Sequence, residues 1–311
     1  MTTFPPEYPG RAYRAPLDAT VARFRAAVTE TPQDAAAHAS LAEALLVLWC
    51  YGFVPGADAL PEARAAADRA VSLAPDSSQA HRALGFIRMG QWELGEAGDE
   101  LRRAVELDPD DAQSCHWLAL YDAAMGRHTD AMPHSRRAVQ LDPSPGIMIG
   151  YGSILYFAHE FKEMARVMEG AAEAAPDNAP AFDWLGMAYV QLGRFDESVR
   201  VYRRAVELSD GMAEILAGLG HAYGMAGRRD EALEVRRRMD AAAERWYVPP
   251  VQRAFVAAGL GDADAVFALL DEALRQRSWE LIFMREEPWF DHLHDDPRFA
   301  RIADQVGFPA K

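Results

Sequence analysis

The chain reads as an all-α solenoid of helical hairpins, and three observations lead there. Near-identical phrases recur 34 residues apart: "DWLGMAYVQLGRFDESVRV" at 183–201 and "AGLGHAYGMAGRRDEALEV" at 217–235 align Gly186 with Gly220, Tyr189 with Tyr223 and Gly193 with Gly227. Each unit places small residues where two helices must approach closely and large ones between them. Most units close on a proline, which cannot continue a helix. Half of the 311 residues are apolar, with 19 prolines and 22 glycines spread as punctuation.

Taken in order, residues 1–16 read as an extended segment, and 17–32 as a lone helix carrying Phe24, Ala27 and Pro32. Such a helix covers the first hairpin of an array. The array itself is expected over 17–280. Residues 35–77 hold an oversized first unit with Leu41, Ala42, Ala70 and Pro75. Its surplus falls in "WCYGFVPGADALPEA", read as a long loop near 50–62. Regular units follow. The first, from 78, carries Gly85, Ala97, Ala104 and Pro109, with its "MGQW" turn arriving early; the next, from 112, carries Ala119, Gly126, Ala131, Ala138 and Pro143. Gly152, Phe161, Ala171 and Pro176 mark the unit from 145, and Gly186, Tyr189, Gly193, Phe195, Ser198 and Ala205 the unit from 179. Gly220, Tyr223, Gly227 and Ala232 mark the unit from 213; Ala254, Gly261 and Ala273 mark one beginning near 247. Residues 281–311 form a capping segment. Asp295 or Asp296 caps a helix that has Pro297 in its first turn and Phe299, Ile302 and Val306 on one face, with Trp289 and Phe290 tucked beneath.

The spacing matches the tetratricopeptide pattern. The array, and above all "PWFDHLHDDPRFARIADQVGF", resembles the C-terminal tetratricopeptide regions of bacterial multidomain regulators of the adenylyl cyclase, kinase and winged-helix types. The resemblance covers about residues 17–308 and implies a right-handed superhelix of about seven hairpins with helical caps at both ends. Only sixteen residues precede the first expected helix, so this sequence is expected to act without an effector domain in cis.

Charge narrows the partners. A net charge of −15 repels phosphate backbones and anionic membrane surfaces, so neither nucleic acid nor membrane is expected. The most apolar run, "LLVLWCYGFV", is short of the roughly 20 residues a membrane span needs. No signal peptide is evident, and a cytoplasmic protein is the default. Cys50 and Cys115 suggest no disulfide framework; Cys115 reads as a small buried hydrophobe. His292 and His294 beside Asp291, Asp295 and Asp296 read as exposed turn residues, and no metal or cofactor is expected.

In the tetratricopeptide fold the first helix of each hairpin lines the concave groove. The resemblance places Arg82, Phe86, Met89, His116, Leu120, Ile149, Tyr156, Phe157, Asp183, Met187, Val190, His221, Met225, Val251 and Phe255 there. The Lys/Asn/Arg clamp that some relatives use for a terminal carboxylate is absent. An oily wall with a few polar groups suits an apolar peptide or partner segment, and that is the expected, non-catalytic function. Two alternatives stay open: a small-molecule-binding protein or enzyme using His116, Tyr156, Asp183 and His221 in the same groove, and a scaffold that binds through its convex face. The groove is also open to occupation by the chain's own C-terminal segment.

Overall fold

The computed structural model describes residues 10–308, and among these it contains helices and no strand. Helix α1 (Arg11–Glu30) is followed by seven antiparallel pairs. The pairs are α2 (Ala35–Cys50) with α3 (Gly56–Leu73), α4 (Ser78–Gly90) with α5 (Leu94–Leu107), α6 (Ala112–Ala124) with α7 (His128–Leu141), and α8 (Pro145–Phe157) with α9 (Phe161–Ala174). Next come α10 (Ala179–Gln191) with α11 (Phe195–Leu208), α12 (Ala213–Met225) with α13 (Arg229–Ala243), and α14 (Pro250–Gly259) with α15 (Ala263–Gln276). Two 3-10 helices, Trp279–Phe283 and Pro288–Leu293, precede α16 (Pro297–Val306). No helix among the described residues is long and apolar enough to cross a membrane.

Local chemistry sets the repeat. Asp34, Ser77, Asp111 and Asn178 each cap the first helix of a hairpin by accepting backbone N–H bonds that the helix leaves open. Each hairpin from the second onward turns through one left-handed residue. Gly126, Gly193, Gly227 and Gly261 hold that seat, but Trp92 and His159 hold it in the second and fourth hairpins. The turn read early at "MGQW" is therefore in register after all, with a non-glycine residue in the strained seat.

Three further boundaries differ from the sequence reading. Helix α1 begins at Arg11, six residues earlier than expected, while residues 1–9 lie outside the described part. The expected loop near 50–62 is a short connection, because the Ala-rich stretch from Gly56 extends α3 backwards. Asp296, not Asp295, caps α16 by accepting the backbone N–H of Arg298, and Pro297 opens the helix as expected.

The array bends far enough to meet itself. Gly10 donates its backbone N–H to the Asp210 carbonyl (3.1 Å), and the Tyr13 hydroxyl accepts the N–H of Ala179 (3.0 Å). Gly52, after α2, lies so close to Pro249 that a Cβ there would stand 2.6 Å from the proline ring. Helix α1 thus touches the fifth hairpin and the turn that follows it, and the loop of the first hairpin touches the start of the seventh.

Helices α12 and α14 make the tightest crossing, backbone on backbone. A Cβ on Gly224 would lie 2.2 Å from the Gly259 carbonyl oxygen, and one on Gly259 would lie 2.7 Å from His221 backbone atoms. No flexible side chain can yield there. Gly224→Ala is expected to lower stability by about 2–3 kcal/mol, read as a shifted urea midpoint with an unchanged slope.

Candidate functional site

The concave wall is occupied by the chain itself. After α15, Arg277 takes a left-handed turn and the chain runs back through the trough as the two 3-10 helices. Trp279 meets Trp49 (6.4 Å between ring centroids) and the edge of Phe86 (6.3 Å). Phe283 stacks flat on Phe157 (4.9 Å). Trp289 stacks on His221 (4.0 Å) and meets Phe255 edge-on (4.8 Å), while Phe290 tilts against Phe255 (5.3 Å). The expected seat of Trp289 and Phe290 beneath the C-terminal helix is therefore on α12 and α14. Two polar ties fix the register: the Tyr156 hydroxyl donates to Glu287 Oε1, and His128 Nε2 lies 2.9 Å from Glu286.

Five of the expected groove residues, Phe86, Tyr156, Phe157, His221 and Phe255, touch this segment. Phe86, Met89, Tyr156, Val251 and His221 are almost wholly buried; Leu120, Phe157, Asp183, Met187 and Val190 keep only slivers of surface. Phe86 also stacks on Trp117 (3.6 Å). Arg82 is committed elsewhere: its guanidinium joins Glu43 on α2 to Asp111, the cap of α6, and ties three hairpins together. Ile149 and Phe255 are half-buried, and Met225 is 44% exposed, outside the covered wall.

The four groups considered for acid–base work do not share a hydrogen bond. Tyr156 is bound to Glu287, and His221 Nδ1 sits 2.9 Å from the Phe255 carbonyl. The half-buried ring of His116 fills the space above Gly150. Burial pushes both histidines down to about 4, so each is neutral near pH 7. Among the described residues no group of His, Cys, Asp and Glu is arranged to hold a metal ion; His292 and His294 are exposed, and Asp296 is engaged by Arg298. Cys115 is buried, as a small hydrophobe would be.

Sequence reasoning missed Trp279, Phe283, Glu286 and Glu287 as wall partners. A signal was present. Helix α8, "PGIMIGYGSILYF", is apolar on every side, and such a helix needs cover on every side. The aromatic-rich stretch at 279–290 is the cover.

This architecture identifies the class. Residues 176–227 match the family model described as TPR repeat. Those residues carry a tetratricopeptide repeat, and the described chain folds as an all-α solenoid of such hairpins. Solved structures extend the likeness along the chain. A chain of the APC/C hetero-tetramer Cut9–Hcn1 is 13% identical with a TM-score of 0.63, covering 93% of this chain and 52% of its own, so this chain spans about half of that neighbour's length. A tetratricopeptide repeat protein from Parabacteroides merdae is 14% identical with a TM-score of 0.56, covering 85% and 98%. TTC0263 from Thermus thermophilus is 23% identical with a TM-score of 0.51, covering 59% and 99%. No curated protein matches the chain in sequence.

Glu287 makes the closure sensitive to pH. Its carboxyl is pushed up to about 7 by burial, against the opposing pull of Tyr156 and the Trp289 N–H. The folded state then keeps a proton that the unfolded chain releases near 4.5, so stability falls as pH rises through that window. Glu287→Gln keeps an acceptor oxygen for both donors and removes the ionisation. The variant should lose about 1–3 kcal/mol less than the parent between pH 5 and pH 8, by urea denaturation at both values. Trp289→Ala should cost about 3–5 kcal/mol in the same assay.

Proposed function

We propose that the chain is a non-catalytic protein-interaction scaffold that offers a partner its outer face and rim, while its concave wall binds its own residues 279–293. The observation that carries this reading is the aromatic interleaving of that segment with Phe86, Phe157, His221 and Phe255. The chemistry expected of the groove, recognition of an apolar segment anchored by a few polar groups, is the chemistry used in cis.

Magnitudes decide between groove and exterior. Leu281, Ile282, Phe283, Met284, Trp289 and Phe290 are all buried. At about 1.5–3 kcal/mol for each such side chain, their burial contributes on the order of 10 kcal/mol. A partner peptide in the groove would have to replace that burial before gaining affinity of its own. A partner peptide in the groove, or a small molecule turned over there, would first require residues 279–293 to leave. The exterior is preformed and strongly acidic overall, which suits a protein partner with a basic surface and speeds encounter.

Hydrogen exchange on the complex with a partner captured from the host tests this directly. Amides of 279–293 should keep their protection, new protection should appear on outer helices such as α9, α11 and α13, and binding should weaken with salt. Loss of protection in 279–293 on binding would transfer the function to the groove.

A further inference from the structure

Residues 279–293 leave α15 and come back to it. At the outgoing end Arg277 turns left-handed (φ 51°), and the Ser278 N–H donates to the Ala273 carbonyl of α15 (2.9 Å). At the returning end α16 is moored on the same helix: Arg298 reaches Asp264 (2.8 Å) and Arg301 reaches Asp271 (2.7 Å). Between these moorings the segment crosses the trough and meets its wall through side chains. Its backbone hydrogen bonds among the described residues are local: Leu281 donates to Ser278, Met284 to Leu281, Glu286 to Phe283 and Phe290 to Glu287. Lifting the segment therefore breaks no rung of the hairpins' helical ladders. A unit connected in this way opens at lower cost than the whole chain.

The seat is also imperfectly satisfied. Nine buried side-chain polar atoms among the described residues have no hydrogen-bond partner, and five of them belong to this segment and its seat. They are Ser278 Oγ, Trp279 Nε1, Glu280 Oε1 and Trp289 Nε1, and Nδ1 of His128, whose other ring nitrogen meets Glu286. Buried polar atoms are normally paired, and water pairs these once the segment lifts.

Two acids of the segment change charge near neutral pH. Glu287 is 6% exposed and accepts from the Tyr156 hydroxyl and from the Trp289 N–H (3.1 Å), both through Oε1. The titratable groups coupled to it are Tyr156 on α8, Tyr202 on α11 and Asp291 in its own segment, and its neighbour Glu286 faces His128 on α7. Glu280 acts on Cys50 of α2 and is acted on by Glu214 of α12. Burial raises the Glu287 carboxyl to about 7 and that of Glu280 to about 8. Lifted into water, both return to the ordinary range near 4.5, so the seated segment keeps protons that the lifted one releases. Seating is firmest below that range and weakens as pH rises through about 7 and 8.

We propose that residues 279–293 are a lid gated by protons on Glu280 and Glu287, which lifts as a unit while the seven hairpins stay folded and bares the apolar wall of the trough. The lid goes beyond the outer-face reading and does not depend on which face a partner takes.

Hydrogen exchange on the full chain at about pH 5 and about pH 9, with rates corrected for the intrinsic effect of pH, tests it. Amides of 281–293 should open more often than those of α4, α8 and α12 at both values, and with a weaker dependence on added urea. Their opening constant should rise about tenfold or more between the two. A naphthalene sulfonate dye that brightens on apolar surface should respond in step, with the helical circular dichroism unchanged. Glu287→Gln and Glu280→Gln should each cut the rise by about fivefold or more, and the double variant should abolish it. Glu234→Gln, on the exposed Arg237 pair, should respond as the parent does. Amides of 281–293 that exchange only in step with those of α8, an opening constant that does not rise with pH, or a parental rise in the double variant would each overturn the proposal.

Discussion

The structure depends on the need to cover inner helices that are apolar all the way round. A solenoid hairpin usually buries one face against its neighbours and leaves the inner face to water or a ligand. Here α8 presents Ile, Met, Tyr, Leu and Phe on all sides, and α2 and α12 are nearly as oily. Left open, that wall would form a contiguous apolar surface far beyond what a soluble monomer tolerates. Closure of the ring at Gly10, Gly52 and Pro249 covers one side of it. The returning segment, with its four aromatic residues Trp279, Phe283, Trp289 and Phe290, covers the rest.

What was legible in the sequence follows from how local each cause is. Hairpin count, caps and most turn positions depend on residues within one unit, and the pattern gives them directly. Trp92 and His159 were not legible as turn residues, since a left-handed seat normally announces itself by glycine. The apolar character of the groove could also be read, because it needs only a helix face and the family's mapping. Its occupant could not be read from spacing. The Tyr156–Glu287 contact joins residues 131 apart, and His128–Glu286 joins residues 158 apart. No periodic signal spans such distances; only the excess of apolar surface on α8 hints that something must come to meet it.

The interior acids show the other side of closure. On an open array Asp183, Glu214 and Glu280 would face water and ionise near their ordinary values. In the folded chain the same side chains stand in a poorly solvated space, where among the described residues the side-chain charges acting on them are acids. Burial raises all three carboxyls, Glu214 to about 7 and Glu280 to about 8.

Closure changes cooperativity as well. In an open repeat array each hairpin is held by its neighbours alone, so ends fray and stability approximates a sum of local terms. Here Trp279 reaches the first and second hairpins, Phe283 the fourth, and Trp289 the sixth and seventh. One short segment thus links units that never touch along the ridge of the solenoid. Loosening any of them exposes apolar surface shared by several others, so local opening is penalised more than in an open array. The contacts that achieve this have the longest loops to close and form late. The array is therefore expected to assemble first as stacked hairpins and become rigid only when residues 279–293 enter the trough.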